Sequence, residues 1–161
     1  MSDVLLVSFV GALISLDRTA FLQIMVSQPL VAGTVVGFLL GVPVTGLIIG
    51  SALELLWVGT VPVGSSVPPN ETVAAVIATA ISIIAGSDMG LVQPPPLSLT
   101  AFSILLSIPL AILGQRVDIL VRSYNRRFAL KADRLLESGD FPGIGRQNLK
   151  GLLSFFTASF F

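Results

Sequence analysis

Gly and Pro residues divide the apolar part of this chain into short segments, which limits the folds available to it. Residues 4–16 form an apolar run shorter than the roughly 20 residues that a straight helix needs to cross a bilayer. This leaves a tilted, an interfacial or a re-entrant helix as alternatives. Pro29 and Pro43 interrupt the apolar sequence that follows, because a proline inside a helix loses a hydrogen bond and clashes with the preceding turn. The pattern predicts short transmembrane and re-entrant helices.

The composition indicates that lipid is the solvent of these segments. Hydrophobic residues make up 53% of the chain and charged residues 11%, and the mean hydropathy is +0.93. A soluble core of this size cannot hide so much apolar surface. No Lys or Arg occurs between Arg18 and Arg116, which excludes a nucleic-acid-binding face in that tract. Asp3 stands where a signal peptide would be basic, so a cleaved signal is not expected. We predict a single all-α integral membrane domain over residues 1–161.

The chain contains no Cys and no His. Their absence removes thiol chemistry, disulfides, imidazole acid-base catalysis and the commonest zinc ligands. No nucleophile-base pair is recognisable, and the Gly-rich stretches lack the Lys of a phosphate-binding loop. We therefore expect a protein that is not an enzyme, with no catalytic residue, metal site or cofactor.

Glycines recur at four-residue spacing in the embedded region. In lipid, this spacing lets two helix backbones approach closely. It also arises by chance in Gly-rich apolar sequence, and of the two explanations we favour close packing. The segment is then a helical hairpin with its corner at Val42 and Pro43, or a discontinuous helix pair. The glycines concerned are Gly33, Gly37, Gly41, Gly46 and Gly50.

A second break separates this segment from two longer helices. Residues 61–70 contain prolines that exclude a helix, and irregular backbone at membrane depth is tolerated only inside protein or beside a water-filled cavity. Residues 72–85 then form a predicted helix, with Asn70 or Thr72 as its N-cap. Residues 97–113 are the best candidate for a complete span.

The chain becomes basic after the embedded residues 1–114. Residues 115–138 are predicted to form an amphipathic helix, whose basic excess places it on the cytoplasmic side next to the membrane. It serves either as a solvated connector whose arginines reach lipid headgroups or as a docking site for a partner. Residues 139–148 are expected to form a loop, and residues 149–161 to begin a further membrane segment.

Polar side chains beside these breaks are the candidates for ligand binding. Glu54 lies inside an apolar run, where a charge at mid-depth costs about 2.5–3.5 kcal/mol and so indicates a function. Alternatively, Glu54 lies near an interface or is neutralised by a structural partner. Carboxylates and amides suit polyhydroxylated ligands, because each forms several directional hydrogen bonds. The other candidates flank backbone breaks, where transporters place substrate sites but where caps and loop residues also occur. They are Gln23, Gln28, Asn70 and Glu71.

An ordered set of short motifs carries a family resemblance. In this combination, and over nearly its whole length, the chain resembles the IIC subunits of the mannose/sorbose family of the bacterial phosphoenolpyruvate-dependent sugar phosphotransferase system (PTS). The motifs are Ser27-Gln28-Pro29-Leu30-Val31, Leu40-Gly41, Thr45-Gly46, Ile49-Gly50, Leu53-Glu54-Leu55, Pro62-Val63-Gly64, Pro68-Pro69-Asn70 and Ile108-Pro109-Leu110.

The resemblance implies an all-helical, multi-pass protein of the bacterial inner (cytoplasmic) membrane with re-entrant hairpins. It implies a translocator that binds a hexose-like sugar, pairs with a IID membrane subunit and passes the sugar to a cytoplasmic IIB subunit. Phosphoryl transfer would belong to the IIA and IIB partners, and we expect an oligomer. The matching motif positions are Glu54 and Asn70, with Gln28 next to the matching proline.

The chain departs from the family pattern at three points. An Asp usually stands at the position of Asn70 and a basic residue at the position of Gln28. Family members also continue through several more membrane segments, so we expect an N-terminal portion or a shortened member. These departures motivate an alternative function, that of a non-transporting membrane scaffold or regulatory subunit.

Overall fold

The protein is built from α-helices. The computed structural model describes residues 2–19, 21, 23–60, 66–137, 139 and 141–160, and no strand occurs among them. This confirms the predicted all-α fold. The helices are α1 (Ser2–Thr19), α2 (Pro29–Leu39), α3 (Pro43–Trp57), α4 (Glu71–Asp88), α5 (Leu97–Glu137) and α6 (Phe141–Phe160).

The helices α2 and α3 form a tight antiparallel hairpin. Each begins with a proline, at the position where a missing backbone N–H costs no hydrogen bond. A Cβ atom on Gly46 would lie 2.1 Å from the carbonyl oxygen of Gly33, so only glycines allow this approach. The predicted hairpin and its close glycine packing are confirmed. Gly41 has a different role, because its φ of 77° forms the turn between the helices.

Helix α4 occupies the centre of the structure and packs against α1, α2, α3 and α5. Ala74, Ala75 and Ala78 are fully buried on it, and their small side chains allow the neighbouring helices to come close. The Oδ1 atom of Asn70 accepts a 3.1 Å hydrogen bond from the backbone N–H of Val73. Of the two N-cap candidates, the structure therefore selects Asn70.

Helix α5 is a single helix of 41 residues, about 60 Å long at 1.5 Å per residue. Residues 97–113 and residues 115–138 were expected as separate elements, but they are joined in this one helix, which is described as far as Glu137. Pro109 lies inside it without ending it. Because α5 is about twice as long as the roughly 30 Å hydrocarbon core is thick, one part of it extends beyond a span.

Helix α6 begins at Phe141, so the loop expected over residues 139–148 is wrong. Gly139, with a φ of 74°, lies in a turn between α5 and α6. Glycines are tolerated in α6 because this helix packs on α5: Gly143 is buried, and farther along the helix the carbonyl oxygen of Gly151 accepts a 3.1 Å hydrogen bond from Nδ2 of Asn125 on α5. Helix α6 also packs against α1.

The outer surface is apolar over much of its extent. Phe38, Leu55 and Leu105 are 74%, 75% and 66% exposed, as expected for helices that face lipid. Helices α4 and α5 are long and apolar enough to cross a membrane, whereas α2 and α3 are shorter apolar helices. How deeply the α2–α3 hairpin enters the bilayer stays a prediction, and residues 61–65 of the predicted second break lie outside the described residues.

Candidate functional site

The carboxylate of Asp17, which was not identified from the sequence, orders the connection between α1 and α2. Asp17 accepts hydrogen bonds from the backbone N–H groups of Ile24, at 2.8 Å, and of Ser27, at 3.1 Å. These bonds hold the chain directly before the N-terminus of α2. Gln23 lies on the same connection, exposed and with a φ of 55°. The structure records no contact between Gln23 and the other predicted site residues described below.

The N-terminus of α2 and the N-terminus of α4 meet. The hydroxyl of Thr72, in the first turn of α4, donates a 2.6 Å hydrogen bond to the carbonyl oxygen of Ser27. Gln28 follows Ser27 as the N-cap residue of α2 and is half-buried, and its side chain does not cap the helix. The start of α4, directly after the second predicted break, and the first break therefore form one structural unit.

Glu54 reaches this unit from α3. Its Oε2 atom accepts a 3.2 Å hydrogen bond from the backbone N–H of Leu30, at the N-terminal end of α2. The free N–H groups and the dipole of a helix N-terminus favour a carboxylate there. Glu54 is also near enough to the half-buried Glu71 of α4 for the two carboxylates to repel each other. The structure thus brings Gln28, Glu54 and Glu71 to the place where α2 and α4 begin.

Asn70 is turned into the protein interior and is 3% exposed. Its Oδ1 atom caps α4 at Val73, and its Nδ2 atom donates a 3.0 Å hydrogen bond to Oδ2 of Asp118 on α5. The backbone N–H of Asn70 donates to the carbonyl oxygen of Ala111, also on α5, at 2.9 Å. Both polar groups of the Asn70 side chain are therefore engaged in internal hydrogen bonds.

Arg18 and Asp118 are functional candidates that the sequence analysis missed. The Nη2 atom of Arg18 donates to the carbonyl oxygens of Pro68, at 3.1 Å, and Pro69, at 2.9 Å. Its Nη1 atom lies 4.0 Å from Oδ2 of Asp118. The sequence did contain a signal for Arg18, since it is the only basic residue before Arg116. Its partner could not be recognised among the acids of a segment that the sequence described as solvated.

A cavity of about 400 Å³ lies between α1, α4, α5 and the end of α6. Its walls are mainly aliphatic, with Val7, Val76 and Leu113 among them. Asn70 and Asp118 supply polar atoms to its lining. The size is within the range of ligand pockets, and the buried polar network borders it. Within the described part of the chain, no group of three or more acidic residues is arranged to hold a metal ion.

Comparison with protein families decides the identity. The model of the PTS system sorbose-specific IIC component matches residues 1–161. The chain belongs to this family. The motifs had indicated the same family.

Individual members of the IIC family agree with this assignment. The chain is 34% identical to the PTS system mannose-specific EIIC component of Escherichia coli (strain K12) over 117 residues, which is 73% of this chain and 40% of that relative. It is 36% identical to the fructose permease IIC component of Bacillus subtilis (strain 168), over 73% of this chain and 39% of the relative. The chain thus spans about two fifths of the length of these relatives.

A solved structure extends the similarity to the IIC fold. The chain resembles a chain in the cryo-EM structure of the mannose transporter ManYZ in complex with microcin E492 (MceA), with a TM-score of 0.78 and 29% identity. The match covers 98% of this chain and 57% of that chain. Both the predicted family and the predicted all-helical membrane fold are confirmed.

Proposed function

We propose that this IIC protein forms part of a sugar translocation path in the bacterial cytoplasmic membrane and binds a hexose-like sugar where α2 and α4 begin. The observation that carries the proposal is the position of Glu54. This carboxylate lies on an apolar helix, at the N-terminus of the broken helix α2, and within electrostatic range of Glu71. Discontinuous helices that point their ends at one place are the usual substrate sites of transporters.

The chemistry of the cluster suits a neutral sugar. The carboxylates of Glu54 and Glu71 accept hydrogen bonds from hydroxyl groups, and the amide of Gln28 both donates and accepts them. Neighbouring hydroxyl groups of a sugar also both donate and accept hydrogen bonds, so they match these side chains. Asn70 would support the site as the N-cap of α4 without contacting the sugar, because both polar groups of its side chain form hydrogen bonds inside the protein. Gln23, which has no recorded contact with the cluster, is the weakest of the five predicted ligands.

The position of the site along the membrane normal fits a sugar that leaves toward the cytoplasm. The N–H of Asn70 donates to the carbonyl oxygen of Ala111, so Asn70 and the start of α4 lie level with this part of α5. Arg116 follows within two turns and begins the basic half of the helix. Because basic residues concentrate on the cytoplasmic side, the cluster would face the compartment in which a phosphorylating partner works.

The partners follow from the same proposal. A multi-pass IIC protein would pair with a IID membrane subunit, in an oligomeric complex, and the IIA and IIB subunits would carry out phosphoryl transfer. The structural relative supports a membrane partner, because it occurs in the complex of the mannose transporter ManYZ. The chain itself would translocate without catalysing a reaction.

The test is sugar binding and uptake by the chain co-expressed with its IID subunit. Radiolabelled mannose, fructose and sorbose are the probes, because the family and its relatives carry these names. Glu54→Gln should abolish binding and uptake while membrane insertion stays normal. Asp88→Asn is the matched control, since Asp88 is an exposed carboxylate at the opposite end of α4.

Two results would contradict the proposal. Uptake at the wild-type level in Glu54→Gln would remove Glu54 from the site. A wild-type complex that binds none of the three sugars would favour the alternative of a scaffold or regulatory subunit.

A further inference from the structure

The irregular segment 66–70, which leads into α4, is held from the side of α1 by one residue. Arg18 donates from a single nitrogen to two successive carbonyl oxygens, those of Pro68 and Pro69. The carbonyl oxygen of Pro69 also accepts a 3.0 Å hydrogen bond from the backbone N–H of Glu71, so Arg18 binds the peptide group that leads directly into α4. The planar guanidinium presents its donors in a fixed geometry and thereby sets the orientation of both peptide groups.

The same segment is also held by α5. The side chain of Gln115 donates to the carbonyl oxygen of Val67. The backbone and the side chain of Asn70 bond Ala111 and Asp118 as described above. A Cβ atom on Gly114 would lie 2.9 Å from the Cβ of Asn70, so α5 contacts the segment directly. Segment 66–70 is therefore clamped between α1 and α5.

The two sides of the clamp are joined by charge. Oδ2 of Asp118 accepts the hydrogen bond from Asn70 and also lies 4.0 Å from Nη1 of Arg18. The Arg18 and Asp118 side chains are only 13% and 9% exposed, so each charge depends on the other in a region of low dielectric. Arg18 also interacts electrostatically with Glu71, the residue that follows Asn70. The clamp thus ends directly at a residue of the proposed sugar site.

We propose that Arg18 and Asp118 are positioning residues for Glu71: they hold segment 66–70 so that the first turn of α4 presents Glu71 beside Glu54. This inference rests on the proposed function. Neither Arg18 nor Asp118 needs to touch the sugar. Binding groups must be placed to within a fraction of an ångström, so loosening the segment weakens binding through Glu71 alone.

The experiment combines two measurements on the complex with its IID subunit. The first is hydrogen exchange at the backbone amides of Asn70, Val73 and Ala74, which needs no sugar. The second is the Kd for the sugar that the wild-type complex binds. Arg18→Lys keeps the charge but loses the fixed donor geometry, and Asp118→Asn keeps an acceptor for Asn70 but loses the charge.

Each variant is made alone and in a Glu71→Gln background. Arg126→Lys, an exposed arginine farther along α5, is the matched control. If the Arg18→Lys protein does not fold, the Asp118→Asn protein provides the same test.

The proposal expects faster exchange at the three amides and a Kd raised on the order of tenfold in either variant. In the Glu71→Gln background the same change should leave the Kd where Glu71→Gln alone puts it, while Arg126→Lys changes neither quantity. Equal fold-changes in both backgrounds would overturn positioning through Glu71, and so would unchanged exchange and Kd. A wild-type complex that binds no sugar overturns the proposed function instead, and exchange then decides alone: faster exchange supports the clamp, and unchanged exchange overturns it.

Discussion

The hydroxyl of Thr72 lies 2.6 Å from the carbonyl oxygen of Ser27 and donates a hydrogen bond to it. Thr72 is fully buried, and this single bond joins the first turn of α4 to the residue that precedes the N-cap of α2. One side chain, considered from the sequence only as an N-cap candidate, therefore links the two helix N-termini of the proposed sugar site.

Replacing Thr72 by Val should destabilise the protein. Valine has nearly the same shape but no hydroxyl, so the carbonyl oxygen of Ser27 loses its partner, at a cost of about 1–3 kcal/mol. Thermal unfolding in detergent measures the effect. Thr72→Ser keeps the hydroxyl and should retain most of the stability. A Thr72→Val protein with the wild-type midpoint would show that the bond does not hold the two termini together.

Replacing Gly46 by Ala should disrupt the α2–α3 hairpin. The new Cβ atom would overlap the carbonyl oxygen of Gly33, which is backbone and cannot turn aside. We expect a loss of at least about 1–3 kcal/mol and a low yield of monodisperse protein on size exclusion. Gly145→Ala is the control, because that position on α6 has open space for a Cβ atom and alanine is the better helix former. Equal yields from both variants would contradict the close contact.

Replacing both members of the Arg18–Asp118 pair should be tolerated better than replacing one. Asp118→Leu leaves a largely buried guanidinium without its carboxylate, which costs about 3–5 kcal/mol, whereas Arg18→Met combined with Asp118→Leu removes both charges. Unfolding midpoints of the two proteins give the comparison. If the double variant is no more stable than the single one, the two charges do not compensate each other.

Helices α4 and α5 should each cross the membrane, so that the two ends of each helix lie on opposite sides. The chain has no Cys, so a single introduced thiol reports one position. A membrane-impermeant maleimide should label Ser123→Cys, in the basic half of α5, only from the cytoplasmic side. Ser87→Cys, exposed near the C-terminal end of α4, should react only from outside. Labelling of both from one side would contradict a span by α4 and α5.

Local features of the sequence were sufficient for much of the fold. Pro29 and Pro43 start helices, because a residue without an N–H is favoured at a first helical position. The glycine spacing correctly indicated a packed hairpin. The expected loop over residues 139–148 was wrong, since Gly and Pro there were judged without the packing of α6 against α5 that stabilises the helix.

The membrane environment, the broken helices and the isolated carboxylate of Glu54 could be inferred from the chain alone, because they depend on hydropathy and on the backbone chemistry of single residues. The pairing of Arg18 with Asp118, the inward bonds of Asn70 and the bond from Thr72 to Ser27 could not. These contacts join residues far apart in the sequence, and they exist only because the packing of α1, α4 and α5 brings the three helices around segment 66–70. Side-chain partners in a buried polar network are selected by that packing, and no local pattern encodes which carboxylate an arginine will meet.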